Sequence, residues 1–148
     1  MKESKWKYTS LPQAQKYLRL IIAPSFSDIK MVIVFTVDIT LDPATAHPSL
    51  FLSEGNRRVT WGEKSQDLPE DPQRFCSLPC VLGHQVITSG RWYWEVEVGS
   101  HGAWDLGICR PHVMRKGRVC IKPEDGFWAS GSISRSTGHS PLQKQNSL

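Results

Sequence analysis

The chain has 148 residues, of which 39% are hydrophobic and 22% charged, values typical of a single soluble domain. Its formal net charge is +4, but residues 1–35 carry six Lys or Arg against two Asp or Glu, whereas residues 36–130 carry ten against twelve. A nucleic-acid-binding domain normally has a basic folded part, so this distribution argues against DNA or RNA as the partner.

The sequence shows no targeting or membrane-spanning segment. The N-terminal stretch is basic, but no apolar region of a secretory signal follows it. The most apolar run, residues 31–37, has seven residues, far fewer than the roughly 20 of a spanning helix. These features predict a cytoplasmic chain that does not itself insert into a membrane.

The first 35 residues have no consistent hydrophobic period. Within them, LPQAQKYLRLII predicts two helical turns that end before Pro24. We therefore expect residues 1–35 to be irregular or partly helical.

Alternation then predicts a strand near Val37–Leu41, followed by a short helical turn over DPATA, because Asp42 suits an N-cap and Pro43 the first helical position. SLFLSE and RRVTW are predicted strands around a turn at Glu54–Asn56. LPEDPQRF is predicted to be a loop, and CVLG and QVIT two brief strands.

Residues 91–110 are predicted to form a β-hairpin. WYWEVEV and AWDLGIC alternate between apolar and polar residues, and two glycines bound the loop between them. Trp94 and Trp104 are expected in the core, and Trp92 nearer an exposed rim. Short strands separated by turns predict an all-β sandwich, and the polar residues 131–148 a disordered tail.

The potentially reactive side chains form no recognisable site. The four cysteines and five histidines lack zinc-ligand spacing, and hydrolase and phosphate-binding motifs are absent. We expect reduced thiols, no cofactor, no bound metal and no enzymatic activity.

Five segments in order closely resemble the PRY-SPRY (B30.2-type) domain: VDITLDPATAHPSLFLSE, LPEDPQRFCSLPCVLG, TSGRWYWEVEVG, WDLGICRPHVMRKG and EDGFWA. This domain forms the intracellular part of butyrophilins, which are membrane-anchored, and the C-terminal part of many tripartite-motif ubiquitin ligases. TAHPSLFLSE looks more butyrophilin-like. The resemblance implies a bent sandwich of two antiparallel sheets that binds a protein through loops at one end.

The chain departs from the family pattern after GFWA, because the later LDYE-like strand is missing. We therefore expect residues 36–130 to hold the PRY part and the first part of an incomplete SPRY domain, from a shortened isoform or a degenerate gene product. Such a half-built sandwich would leave Trp104, Leu106 and Ile108 under-covered. Its open sheet edges would favour self-association.

Three functions follow from this resemblance. The first is a non-enzymatic, intracellular protein-binding module of butyrophilin type, with a protein partner. The alternatives are the substrate-recognition part of a tripartite-motif ubiquitin ligase and a poorly folded fragment without dedicated activity. The candidate binding residues, all in predicted loops or at strand ends, are Arg57, Arg58, Trp61, Arg91, Trp92 and His101.

Overall fold

A computed structural model of the chain describes residues 2–8, 17–25, 29–32, 39–88, 92–98 and 102–134. In these ranges the regular structure is nine strands and one 3₁₀ turn over Pro123–Asp125. The strands are β1 (Lys2–Tyr8), β2 (Leu18–Ser25), β3 (Ile29–Val32), β4 (Leu50–Ser53), β5 (Arg58–Trp61), β6 (Val81–Ile87), β7 (Trp92–Val98), β8 (Gly102–Cys109) and β9 (Phe127–Ser134). The predicted all-β class is confirmed.

The described strands form two antiparallel sheets. The first has the order β1-β7-β3-β5-β4, and the second the order β6-β2-β8-β9. One hydrophobic cluster contains side chains from both sheets, so the sheets pack face to face. This arrangement is the two-sheet sandwich that the resemblance implied.

The main core lies between the sheets. Its buried members are Leu18, Leu20, Ile22, Ile39, Leu41, Ala46, Leu50, Val59, Val81, Ile87, Val96, Val98, Leu106 and Ile108. A second cluster uses strand positions of the opposite parity, so it lies on the other face of the second sheet. It contains Ile21, Ala23, Leu82, Cys109 and Phe127 from strands, with Phe75, Cys80 and Val113 from loops.

The helical prediction for the N-terminal segment is wrong over Leu18–Ile22, which belongs to β2. This strand lies between β6 and β8, and successive residues point alternately into the two cores. A strand that is buried on both faces shows no apolar–polar alternation, which is why the sequence lacked a strand period. β1 and β3 also replace the irregular structure expected for residues 1–35.

The hairpin predicted over residues 91–110 is also wrong, although both of its strands exist. β7 pairs with β1 and β3, whereas β8 pairs with β2 and β9 in the other sheet. Alternation correctly placed Val96, Val98, Leu106 and Ile108 in the core. It carries no information about which strand lies alongside, so the crossing between sheets was not predictable from it.

The segment before the DPATA turn does not form the predicted strand; it lies along the free edge of β6. Ile39 and Leu41 are buried, as their alternation implied, but only Leu41 makes an isolated bridge, to Gly83 of β6. Residues 37 and 38 lie outside the described ranges. The DPATA turn itself is present, and Asp42 Oδ1 accepts a hydrogen bond from the Ala44 N–H at 3.0 Å.

The expected gap beside β8 is filled. Leu106 and Ile108 are 1% and 0% exposed because they pack in the main core, which also contains Val59, Val96 and Val98 of the facing sheet. Trp104 is half-buried and packs on the main core. The tail was expected to be irregular from residue 131, but β9 extends to Ser134; the remainder of the predicted tail lies outside the described ranges.

In the described part of the chain, the structure contains no helix with the length and apolar character needed to cross a membrane.

Candidate functional site

Two of the predicted contact residues, Arg57 and Arg58, lie at the turn between β4 and β5. This turn has left-handed backbone at Glu54, Gly55 and Asn56, with φ of 52°, 65° and 62°. Arg58 Nη1 donates to Glu54 Oε1 at 3.1 Å, and both side chains are partly exposed. The two arginines therefore sit on a surface turn, with Arg58 held by an ion pair.

Trp61 and Trp92 do not belong to one site. Ile29 pairs with both Val59 and Val98, so these two residues lie at the same level of the first sheet. β5 and β7 run in the same direction, which places Trp61 two positions beyond that level and Trp92 six positions before it. At roughly 3.3 Å per residue, the two positions are about 26 Å apart along the strands.

The environment of Trp61 also points to a structural role, because it is half-buried and packs against the main core. The other two predicted contacts, Arg91 and His101, lie outside the described residues. Of the six predicted residues, the structure brings together Arg57 and Arg58.

A different part of the molecule contains a cleft. It lies where β8 ends and β9 begins, and its volume is ≈ 440 Å³. That volume falls within the range of about 300–1,000 Å³ that is usual for ligand sites. The lining residues are Arg110, Pro111, His112, Val113, Met114, Arg118, Val119, Glu124, Asp125 and Phe127.

The backbone of the cleft is shaped by Gly126. Its φ is +90°, and a β-carbon there would lie 3.1 Å from Val113 Cγ1. The Gly126 carbonyl accepts a hydrogen bond from the Arg110 N–H at 2.9 Å, and its own N–H donates to the Pro123 carbonyl at 3.0 Å. A glycine is required both for this conformation and for the space beside Val113.

The long loop of the cleft is anchored to the segment around Phe75. The Arg115 guanidinium lies over the Phe75 ring, 4.7 Å from its centroid, and Arg115 Nη2 donates to the Pro111 carbonyl at 2.7 Å. The Cys76 N–H donates to the Arg115 carbonyl at 3.0 Å. Burial lowers the pKa of Arg115. These contacts hold the loop that contains Arg115, which forms one wall of the cleft, against the segment around Phe75.

His47 also stabilises the segment around Phe75, through a hydrogen bond to Cys76. Ser49 donates its N–H to His47 Nδ1 at 3.1 Å, so Nε2 carries the proton and donates to the Cys76 carbonyl, also at 3.1 Å. Burial lowers the pKa of His47, and the hydrogen bond to Cys76 opposes this shift. The neutral form of the His47 ring is therefore the one that can make both hydrogen bonds.

The chemistry of the cleft combines an apolar floor with charges of both signs. Val113 and Phe127 are buried, and Met114 is 63% exposed at the rim. Arg118 and Glu124 are exposed rim residues, and neither has a partner within the described residues. Such a surface suits an apolar side chain of a polypeptide that is flanked by charged groups.

The described residues give no sign of a metal centre, since no group of three or more His, Cys, Asp or Glu among them is arranged to hold an ion. The thiols of Cys80 and Cys109 are buried, which raises the pKa of Cys109 to about 12 and that of Cys80 well above its ordinary value. Such thiols are poor nucleophiles.

Sequence reasoning missed the cleft because none of its lining residues forms a catalytic or ligand-binding motif. Met114 between the basic residues of RPHVMRKGR was the available signal, since methionine is common on adaptable binding surfaces. Only the structure shows that this loop folds back toward Glu124 and Asp125.

Two family models match the chain. Residues 39–87 match PRY, the SPRY-associated domain, and residues 91–147 match the SPRY domain. Together with the two-sheet fold, these matches show that the chain belongs to the PRY-SPRY (B30.2-type) family.

Its relatives include butyrophilins and E3 ubiquitin-protein ligases. Bos taurus butyrophilin subfamily 1 member A1 is 53% identical over 100 residues, which cover 68% of this chain and 19% of the relative. Human zinc finger protein RFP is 51% identical over 96 residues, 65% of this chain and 19% of that protein. Mouse E3 ubiquitin-protein ligase TRIM58 is 51% identical over 100 residues, 68% and 21% respectively. The matched part is thus about a fifth of each relative.

Proposed function

We propose that this chain is a non-enzymatic protein-binding module of butyrophilin type, located in the cytoplasm, and that the cleft beside Gly126 holds its partner. The observation that carries the proposal is the combination of apolar lining residues with rim charges at Arg118 and Glu124, which have no partner among the described residues. A partner segment would place an apolar side chain against the accessible surface of Met114 and Val119 and pair its flanking charges with the rim.

The turn residues Arg57 and Arg58 form a second proposed contact surface. An extended partner could reach beyond the cleft. Arg91, Trp92 and His101 also remain proposed contacts, because they lie in predicted loops or at strand ends. The cleft takes precedence because its apolar floor offers the desolvated centre that dominates most protein interfaces.

The alternative is the substrate-recognition part of a tripartite-motif ubiquitin ligase. It is supported by the relatives named RFP and TRIM58, which are nearly as similar as the butyrophilins. Both proposals use the same binding surface. They differ in whether a catalytic ligase domain is present in the same polypeptide.

Peptide display against the purified chain tests the binding role. We expect selected peptides to share an apolar residue with charged neighbours, and Met114→Asp at the rim to weaken their binding at least about tenfold. The matched control is Val86→Asp, because Val86 is an exposed apolar residue of β6 that does not line the cleft. Equal binding by both variants would refute the cleft as the site.

A further inference from the structure

The four outer strands of the two sheets differ in how their free edges are protected. β6 is covered by residues 40–42: His84 donates its N–H to the Thr40 carbonyl at 2.7 Å, and Asp42 donates its N–H to the Leu82 carbonyl at 2.8 Å. The edge of β4 is partly capped, since Gln66 Nε2 donates to the Leu50 carbonyl at 2.8 Å. Covering of this kind prevents edge-to-edge pairing.

The other two outer strands differ in charge. β1 has the sequence KESKWKY, with three lysines and one glutamate, so each copy carries a net charge of +2 that disfavours pairing with another copy. β9 has the sequence FWASGSIS, which contains no charged residue and no proline over eight residues. Within the described residues no strand lies on its outer side. β9 therefore lacks the usual features that block pairing.

The backbone direction shows which groups β9 offers. Arg110 donates its N–H to the Gly126 carbonyl, and hydrogen-bonded and non-hydrogen-bonded pairs alternate along the antiparallel β8–β9 ladder. The N–H of Phe127 therefore points away from β8, in agreement with its 3.1 Å bond to the Lys122 carbonyl. By the same alternation, Ala129, Gly131 and Ile133 direct their N–H and C=O groups outward.

We propose that β9 is a self-association edge, which pairs antiparallel with β9 of a second copy of this chain. The three outward residues are self-complementary about a two-fold axis at Gly131, with Ala129 of one copy opposite Ile133 of the other. An uncharged strand meets its own copy without repulsion, whereas two copies of β1 each carry a net charge of +2. The two second sheets would join into one continuous eight-stranded sheet. This inference does not depend on the cleft.

The first test removes the outward donor while leaving the inner ladder intact. Ile133→Pro deletes an N–H that points away from β8, whereas Ile133→Thr keeps that N–H. In sedimentation of the full chain we expect a dimer for the wild type and for Ile133→Thr, and dimerisation weakened at least about tenfold for Ile133→Pro. A monomeric wild type would overturn the proposal. A dimer unchanged by Ile133→Pro would also overturn it.

A second test covers the case in which Ile133→Pro does not fold. Gly131→Glu and Gly131→Lys each place like charges opposite one another at the two-fold axis, so each should weaken dimerisation, and Gly131→Glu the more strongly because Asp105 lies opposite residue 131 on β8. An equimolar mixture pairs opposite charges, and we expect a heterodimer at least as tight as the wild-type dimer. A mixture that associates as weakly as the separate variants would refute pairing through β9. Met114→Asp, which tests the cleft, should leave dimerisation unchanged.

Discussion

Arg19 and Asp42 form a buried ion pair that ties the N-terminal strand β2 to the DPATA turn. Arg19 Nη2 lies 2.9 Å from Asp42 Oδ2, and the two side chains are 10% and 13% exposed. Arg19 Nε also donates to the Gly83 carbonyl at 2.9 Å, and Asp42 Oδ1 accepts from the Ala44 N–H. The guanidinium therefore links β2, β6 and the turn.

Breaking this pair should destabilise the whole sandwich. Arg19→Met leaves the Asp42 carboxylate buried without its countercharge, which costs about 3–5 kcal/mol. The matched control is Arg58→Met, which breaks a partly exposed pair with Glu54 and should cost at most about 1 kcal/mol. Urea denaturation monitored by tryptophan fluorescence measures both. If the two variants lost similar free energy of unfolding, the buried Arg19–Asp42 pair would not have the structural role in anchoring β2 that we assign to it.

Gly55 and Gly126, two of the four described glycines at positive φ, offer a test of the cleft backbone. A β-carbon on Gly55 meets nothing within 4 Å, so Gly55→Ala should lose about 1 kcal/mol from backbone conformation alone. At Gly126 the same change also crowds Val113 and the Arg110 side chain, so Gly126→Ala should lose about 2–3 kcal/mol. Equal free energies of unfolding would show that the cleft has room to adjust.

The sandwich class was predictable from the sequence, because the apolar–polar alternation in β7 and β8 and the turn-forming residues between strands are local signals. The position of β2 was not, since its inner residues Leu20 and Ile22 and its outer residue Ile21 are all apolar. Periodicity cannot distinguish such a strand from a buried helix. The cleft was equally inaccessible, because it depends on how the loop before Val119 folds against Phe75.

His47 should make stability depend on pH. Its pKa is lowered in the folded chain, so its contribution is fully present above the unfolded value near 6.5 and is lost as pH falls through the folded pKa. His47→Asn cannot titrate in this range. Between pH 7.5 and 5.5 the wild type should lose more thermal stability than His47→Asn. Parallel losses would show that other groups cause the pH dependence.

The four thiols should separate into two classes. Cys76 and Cys120 are exposed, whereas Cys80 and Cys109 are buried. Because the thiolate is the reactive form and burial raises the pKa of Cys109 to about 12, the buried pair should be protected at pH 8. We expect DTNB to modify two thiols rapidly in the native chain and all four in guanidinium chloride. A third thiol that reacts rapidly under native conditions would contradict the packing around the second core cluster.

The proposed binding cleft is tested most directly by mapping a selected peptide onto the ¹⁵N-labelled chain by NMR. We predict that amide shifts concentrate at residues 110–119 and 124–127, that they disappear in Met114→Asp, and that they persist in Val86→Asp. Shifts that cluster instead at the turn of residues 54–57, with the cleft amides unchanged, would contradict the account and place the interaction on the β4–β5 turn.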